Sequence, residues 1–150
     1  MIIRLLSIFL IGLNTLLFAD NSLGSASVED AIQKRIEMFK SSGANIKRLS
    51  KLIRAGDKST SSELIDFHVK WSEEMLLLFP IGSEASTSNG SDASSDIWHD
   101  PVGFEKQVRQ YNLSSVRLKE ALESEDGTII NETFERLVLA CKSCHKRFRN

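Results

Sequence analysis

The sequence predicts an all-α protein, an antiparallel four-helix bundle. Three observations predict it. Apolar residues recur at steps of three and four along four separate stretches, the period of a helix rather than of a strand. Only two prolines and eight glycines occur in 150 residues, and the glycines fall mostly between the periodic stretches. Two of the breaks are short and one is long, a connectivity that suits helices packed antiparallel. The length suffices for one domain with a real core, and 41% of the residues are apolar.

The chain opens Met1-Ile2-Ile3-Arg4 and runs largely apolar from Leu5 to Phe18. One early cation before a short apolar core reads as an export signal over residues 1–19. The run is short for a membrane span, which needs about 20 residues. Cleavage after Ala19 places the large Leu17 at the −3 position; cleavage after Ala26, with Gly24 at −3, fits small-residue chemistry but lies far from the apolar core. An uncleaved anchor is the alternative. After cleavage no membrane association is expected.

Residues 20–27 are small and polar and read as a linker, with Ser27 as a cap. The domain is expected over 28–150. Its first helix carries Val28, Ile32, Ile36, Phe39, Gly43, Ile46, Leu49 and Ile53 on one face, and Gly56-Asp57 stops it. Ser59 to Ser62 offer caps for the second, whose face is Leu64, Phe67, Trp71, Met75 and Leu78, ending at Phe79-Pro80. Residues 81–96 show no period and read as a loop with a mobile Ser/Asn/Gly centre. The third helix begins near Pro101 and presents Phe104, Val108, Tyr111, Leu118 and Leu122, with Ser115 in the gap. Glu123 to Gly127 turn the chain. The fourth helix runs from about Thr128 and aligns Ile130, Phe134, Leu137, Cys141, Cys144, His145 and Phe148. Leu52, Ile65 and Leu76 point outward and are candidates for a dimer seam, while His68 reads as a polar-face residue and His99 as a loop residue.

Charge excludes one class. With 19 basic and 20 acidic residues the net charge is −1, and −2 once the signal and its one arginine are gone, so no electrostatic case for nucleic acid exists.

The two cysteines are the only ones in the chain, and they stand in Cys141-Lys142-Ser143-Cys144-His145. Cys-x-x-Cys-His is the attachment spacing of a c-type haem. On a helix the three side chains leave one face at i, i+3 and i+4. Two thiols can then form thioethers with the haem vinyl groups while the imidazole ligates iron. A thioredoxin-type pair opens a helix after a strand, whereas this motif ends the chain. Structural zinc takes four ligands, and no second cluster is present. The motif continues the core stripe of its helix, which places the haem c inside the bundle.

Several segments, in order, resemble the cytochrome c′ family, high-spin c-type cytochromes. Asp30-Ala31-Ile32-x-x-Arg35 resembles the start of the family's first helix. Phe79-Pro80-Ile81-Gly82-Ser83-Glu84 resembles the segment after its second, Ile97-Trp98 the pair before its third, and Cys141 to Arg149 its ending. The resemblance implies His145 as the only protein ligand to iron and an apolar cover on the opposite face, four residues after the first-helix arginine. That position is Phe39, with Met38 adjacent. The two lie about 100° apart around a helix, so only one faces the iron. It implies Arg35 near a haem propionate and Ser83 and Glu84 by the haem edge. Lys142, Lys146, Arg147 and Arg149 form a basic helix end: they stabilise the helix C-terminus, or Arg149, four after His145, lies beside the haem and tunes its electronics, or the patch docks an acidic redox partner. Ile36 stands where the family often has Gln, and Ser83 replaces Thr but keeps a hydroxyl.

The function expected is a periplasmic five-coordinate haem protein binding nitric oxide and carbon monoxide, transferring electrons to a redox partner protein, or both. A low-spin electron carrier with Met38 as second iron ligand is the alternative. No enzymatic activity is expected, because no distal acid–base group is evident. The resemblance also implies a homodimer.

Overall fold

The computed structural model describes residues 22–124 and 126–150, with the backbone alone for 22–27. The export signal expected over residues 1–19 lies outside the described residues. Helix α1 spans Ser22–Ala55, α2 Lys58–Glu74, the four-residue α3 Asp96–His99, α4 Pro101–Glu123 and α5 Gly127–Phe148; a 3-10 turn, Met75–Leu78, continues α2. The four long helices form the bundle. Among the described residues no helix is long and apolar enough to cross a membrane.

Local chemistry explains most of the boundaries. Gly56, at φ +74°, ends α1, and its N–H returns to Ile53 O while the next N–H returns to Leu52 O. Asp57, not a residue of the Ser59–Ser62 run, caps α2 by accepting from Thr60 N–H, worth about 1 kcal/mol. Asp100 caps α4 at Gly103 N–H, with Pro101 in the first turn. Asp126 accepts from Thr128 and Ile129 N–H at the start of α5. The N-terminal boundary differs from expectation: α1 begins at Ser22, so the 22–27 backbone continues the helix rather than forming a linker.

The core joins Leu49, Ile65, Trp71, Met75, Phe104, Tyr111, Leu118, Leu122, Leu137 and Phe148. Two residues read as outward-facing are central to it. Ile65 and His68 are both 0% exposed, because α2 is pressed between α1 and α4 and buries a wider arc than one stripe. Ile65 is therefore not part of a dimer seam. Leu76 stays on the surface at 40% exposure.

The loop after the 3-10 turn also departs from expectation. Its centre is closed by its own hydrogen bonds. The Asn89 side chain donates to Glu84 O at 2.8 Å and accepts from the N–H groups of Ser86 and Ser91. Ser83 and Ser91 are buried, and Trp98 Nε1 donates to Pro80 O at 3.2 Å. The C-terminus then ties the loop to α5: Ser94 N–H donates to Phe148 O and Asn150 N–H to Asp92 O, with Ala93 and Arg149 forming an antiparallel bridge.

The helices do not pack evenly. α4 lies extensively against α5 and α2, and α1 against α2, whereas α1 and α5 touch little. That seam between α1 and α5 holds the site.

Candidate haem site

Cys141, Cys144 and His145 occupy the last two turns of α5, where the stripe running from Ile130 and Leu137 reaches the α1 seam. Two cavities open there. The larger, about 580 Å³, is walled by Ile36, Phe79, Ile97, Phe104 and Phe148 and rimmed by the cations Lys40, Lys47 and Arg149. The smaller, about 180 Å³, is lined by Cys141, Ile46, Trp71, Met75, Val108 and Tyr111. Phe39, Gly43, Cys144 and His145 line both, so the two are lobes of one space divided where Phe39 meets His145. Their ring centroids are 6.0 Å apart at an interplanar angle of 67°. Phe39 is fixed by edge contacts to Trp71 at 5.3 Å and to Phe79 at 6.4 Å.

The electrostatics suit a neutral imidazole between apolar walls. Burial, and then the charge of Arg149, push the His145 pKa below its usual value, which keeps a ring lone pair available to a metal. Burial pushes both thiols up to about 11, with Cys141 adding to the rise at Cys144. Before haem attachment the thiols therefore stay protonated.

The other residues expected at the site divide. Phe39 lines both lobes, whereas Met38 lines neither and is half-buried against the core. Arg149 lines the larger lobe and binds Asp92 through Nη2 at 2.7 Å and Nε at 3.1 Å. Arg35 lines the larger lobe too, yet it is only 2% exposed and its guanidinium is committed to the loop. Nη1 donates to Leu78 O at 3.0 Å and Ser83 Oγ at 2.7 Å; Nη2 donates to Ser91 Oγ at 2.7 Å and to Ser83 O. It also stacks over the Phe79 ring at 4.7 Å. Burial lowers its pKa, opposed by the charge of Glu84. Ser83 and Glu84 line neither lobe; Ser83 is a partner of Arg35 instead of a wall residue.

Sequence reasoning missed the rim cations Lys40 and Lys47. They fall at i and i+7 on the same arc as Phe39 and Gly43, a signal available once the seam-facing side of α1 is known. It also missed that Tyr111, placed only on a core stripe, pairs with His68 at 2.6 Å.

The residues present fit a haem attached to protein. Two thiols three apart and an imidazole share one helix face, the walls are mostly apolar, and the cations at one rim suit propionates. Fold and donor set together define a helical-bundle protein of the c-type haem class. The chain belongs to the cytochrome c′ family, whose description, Cytochrome C′, matches residues 30–149, and it carries covalently bound haem c. A cytochrome c′ of Alcaligenes xylosoxydans xylosoxydans is 23% identical over 124 residues, 83% of this chain and 96% of that protein. The fold is similar to the solved structure of a cytochrome c′ with a ligand-controlled dimer dissociation, at a TM-score of 0.75 and 16% identity over 81% of this chain and 95% of that one. It is similar also to a nitric oxide complex of a cytochrome c′ variant from Alcaligenes xylosoxidans, at a TM-score of 0.72 and 21% identity over 82% and 96%.

Proposed function

We propose that this protein is a periplasmic haem protein whose iron is five-coordinate and binds nitric oxide and carbon monoxide. The observation that carries the reading is Phe39 standing across the site from His145, 6.0 Å between centroids. An aromatic ring cannot ligate iron, so the position opposite the imidazole is covered without being filled. Met38, whose thioether could ligate, lines neither lobe, which disfavours Met38 as a sixth ligand.

When bound, haem supplies an iron that takes a diatomic ligand and changes oxidation state. Cys141 and Cys144 would hold it covalently, His145 would ligate, and Lys40 and Lys47 supply positive charge along the larger lobe, where Arg149 is paired with Asp92 and Arg35 is held by the loop. Phe39 restricts entry and offers no hydrogen-bond donor, while the Tyr111 hydroxyl is engaged by His68. That environment favours nitric oxide and carbon monoxide over polar bound dioxygen. Electron transfer to a redox partner protein is a second use of the same iron. The nitric oxide complex and the ligand-linked dimer described for the two relatives support the gas ligand and a homodimer here.

The test is the visible spectrum of the reduced holoprotein before and after nitric oxide or carbon monoxide. The reading expects a broad, unsplit band that changes with either gas. Sharp split bands indifferent to carbon monoxide contradict it and point to a sixth protein ligand.

A further inference from the structure

The smaller lobe has a polar corner that haem attachment does not require. Tyr111 Oη lies 2.6 Å from His68 Nδ1. Ser42 Oγ stands 3.4 Å from the same phenol oxygen and 3.5 Å from the same ring nitrogen. The three side chains come from α4, α2 and α1, and all are buried. Tyr111 and Ser42 line the lobe beside Cys141, whereas His68 sits behind them. Phenol is the stronger acid of the pair and the imidazole nitrogen the stronger base, so Tyr111 donates its O–H to Nδ1. His68 Nε2 then has no hydrogen-bond partner among the described residues. Burial holds His68 down to about 4 and raises the phenol, so both are neutral at rest.

A pure packing role asks for none of this, because a buried polar pair with one atom unpartnered is a poor substitute for two apolar side chains. The arrangement has one further capacity. A phenol that loses an electron becomes a strong acid, and it loses the electron readily only where a base at hydrogen-bond distance can take the proton. Trp71 lines the same lobe, but its indole N–H has no acceptor among the described residues, so it lacks that assistance.

We infer that Tyr111 is a redox-active side chain, a one-electron donor to the haem whose phenolic proton passes to His68. The Tyr111 O–H bond breaks, an N–H bond forms on His68 Nδ1, and the electron leaves for the haem. The products are a neutral phenoxyl radical and an imidazolium. The oxidant is a hydroperoxide: cleaving its O–O bond consumes two electrons and two solvent protons, leaving an alcohol and water. One electron comes from Tyr111 and the other from the haem. A small-molecule reductant later returns two electrons, one to the phenoxyl radical and one to the haem, and the imidazolium proton moves back to Oη. The pair thereby diverts an oxidising equivalent into a side chain that can be repaired. The peroxide route rests on the open iron position proposed above; the Tyr111–His68 chemistry itself does not.

Tyr111 is the only tyrosine in the chain, so the test needs no substitution to assign the signal. Ferric holoprotein is mixed with hydrogen peroxide, frozen and examined by electron paramagnetic resonance, with ordinary and with ring-deuterated tyrosine. A second arm generates the hole with a photo-oxidised ruthenium polypyridyl complex, which needs no open iron position. The expected result in both arms is a radical whose hyperfine splitting collapses on deuteration. In His68→Leu its largest principal g value shifts upward and most of the signal is lost. A signal from the ruthenium arm alone upholds Tyr111 and counts against the open iron position. A radical indifferent to deuteration, no radical in either arm, or a His68→Leu spectrum identical to the parent overturns the proposal.

Discussion

Phe39 and His145 face each other edge-on across the α1–α5 seam, 6.0 Å apart and tilted by 67°. The contact lies where the two lobes of the haem space meet, and on the proposed reading it decides which side of the iron is guarded. Truncating Phe39→Ala should speed carbon monoxide binding by about tenfold or more, equivalent to about 1.4 kcal/mol off the entry barrier. Flash photolysis of the ferrous protein reads the rate directly. Phe39 also packs on Trp71 and Phe79, so the variant should lose about 2–4 kcal/mol of stability. An unchanged binding rate in a folded variant would mean that another residue forms the cover.

Arg35→Ala should cost about 3 kcal/mol, because it leaves Ser83 O, Leu78 O and two serine hydroxyls short of a donor in a buried corner. Amide exchange over residues 83–91 should accelerate more than elsewhere. Arg35→Lys should not restore protection, since one ammonium cannot span the four acceptors a guanidinium fork reaches. Urea unfolding and hydrogen exchange check both statements.

His68 gives stability a dependence on acid. Burial lowers its pKa from 6.5 to about 4 in the fold. Between those values the unfolded chain binds a proton that the folded chain refuses, so stability rises with pH across that window. The contribution is present above pH 6.5 and lost as the pH falls to about 4, amounting to about 3 kcal/mol. His68→Leu should remove that part of the slope. Denaturation midpoints of the two proteins at matched pH values measure the difference, and parallel curves would contradict it.

The sequence disclosed some features and not others for identifiable reasons. The long helices were legible because Phe104, Val108 and Tyr111, or Ile130, Phe134 and Leu137, keep a helical step without interruption. The attachment site was legible because Cys141, Cys144 and His145 carry their geometry in their spacing. The second helix misled, because the step through Leu64, Phe67 and Trp71 is as regular as the one through Ile65, His68 and Trp71. Only packing between two neighbours shows that the second arc lies deeper. The role of Arg35 was hidden in another way: its partners lie 43 to 56 residues away, in a stretch whose composition suggests mobility. A buried cation that gathers carbonyl and hydroxyl groups leaves no local pattern.

Gly56 isolates one such local rule. It sits at φ +74° with open space around the position of a Cβ, so Gly56→Ala tests backbone conformation alone. It should cost about 1 kcal/mol, read as a lower melting temperature with an unchanged haem spectrum. A neutral effect would show that the α1–α2 turn relaxes freely.

The central claim is that His145 ligates the iron alone while Phe39 covers the open side. Resonance Raman spectroscopy of the ferrous holoprotein tests it most directly, since the iron–histidine stretching band is seen only when the iron is five-coordinate and high-spin. The account predicts that the band is present, and that it disappears when carbon monoxide binds. Its absence from the ferrous protein, with low-spin porphyrin marker bands in its place, would contradict the account.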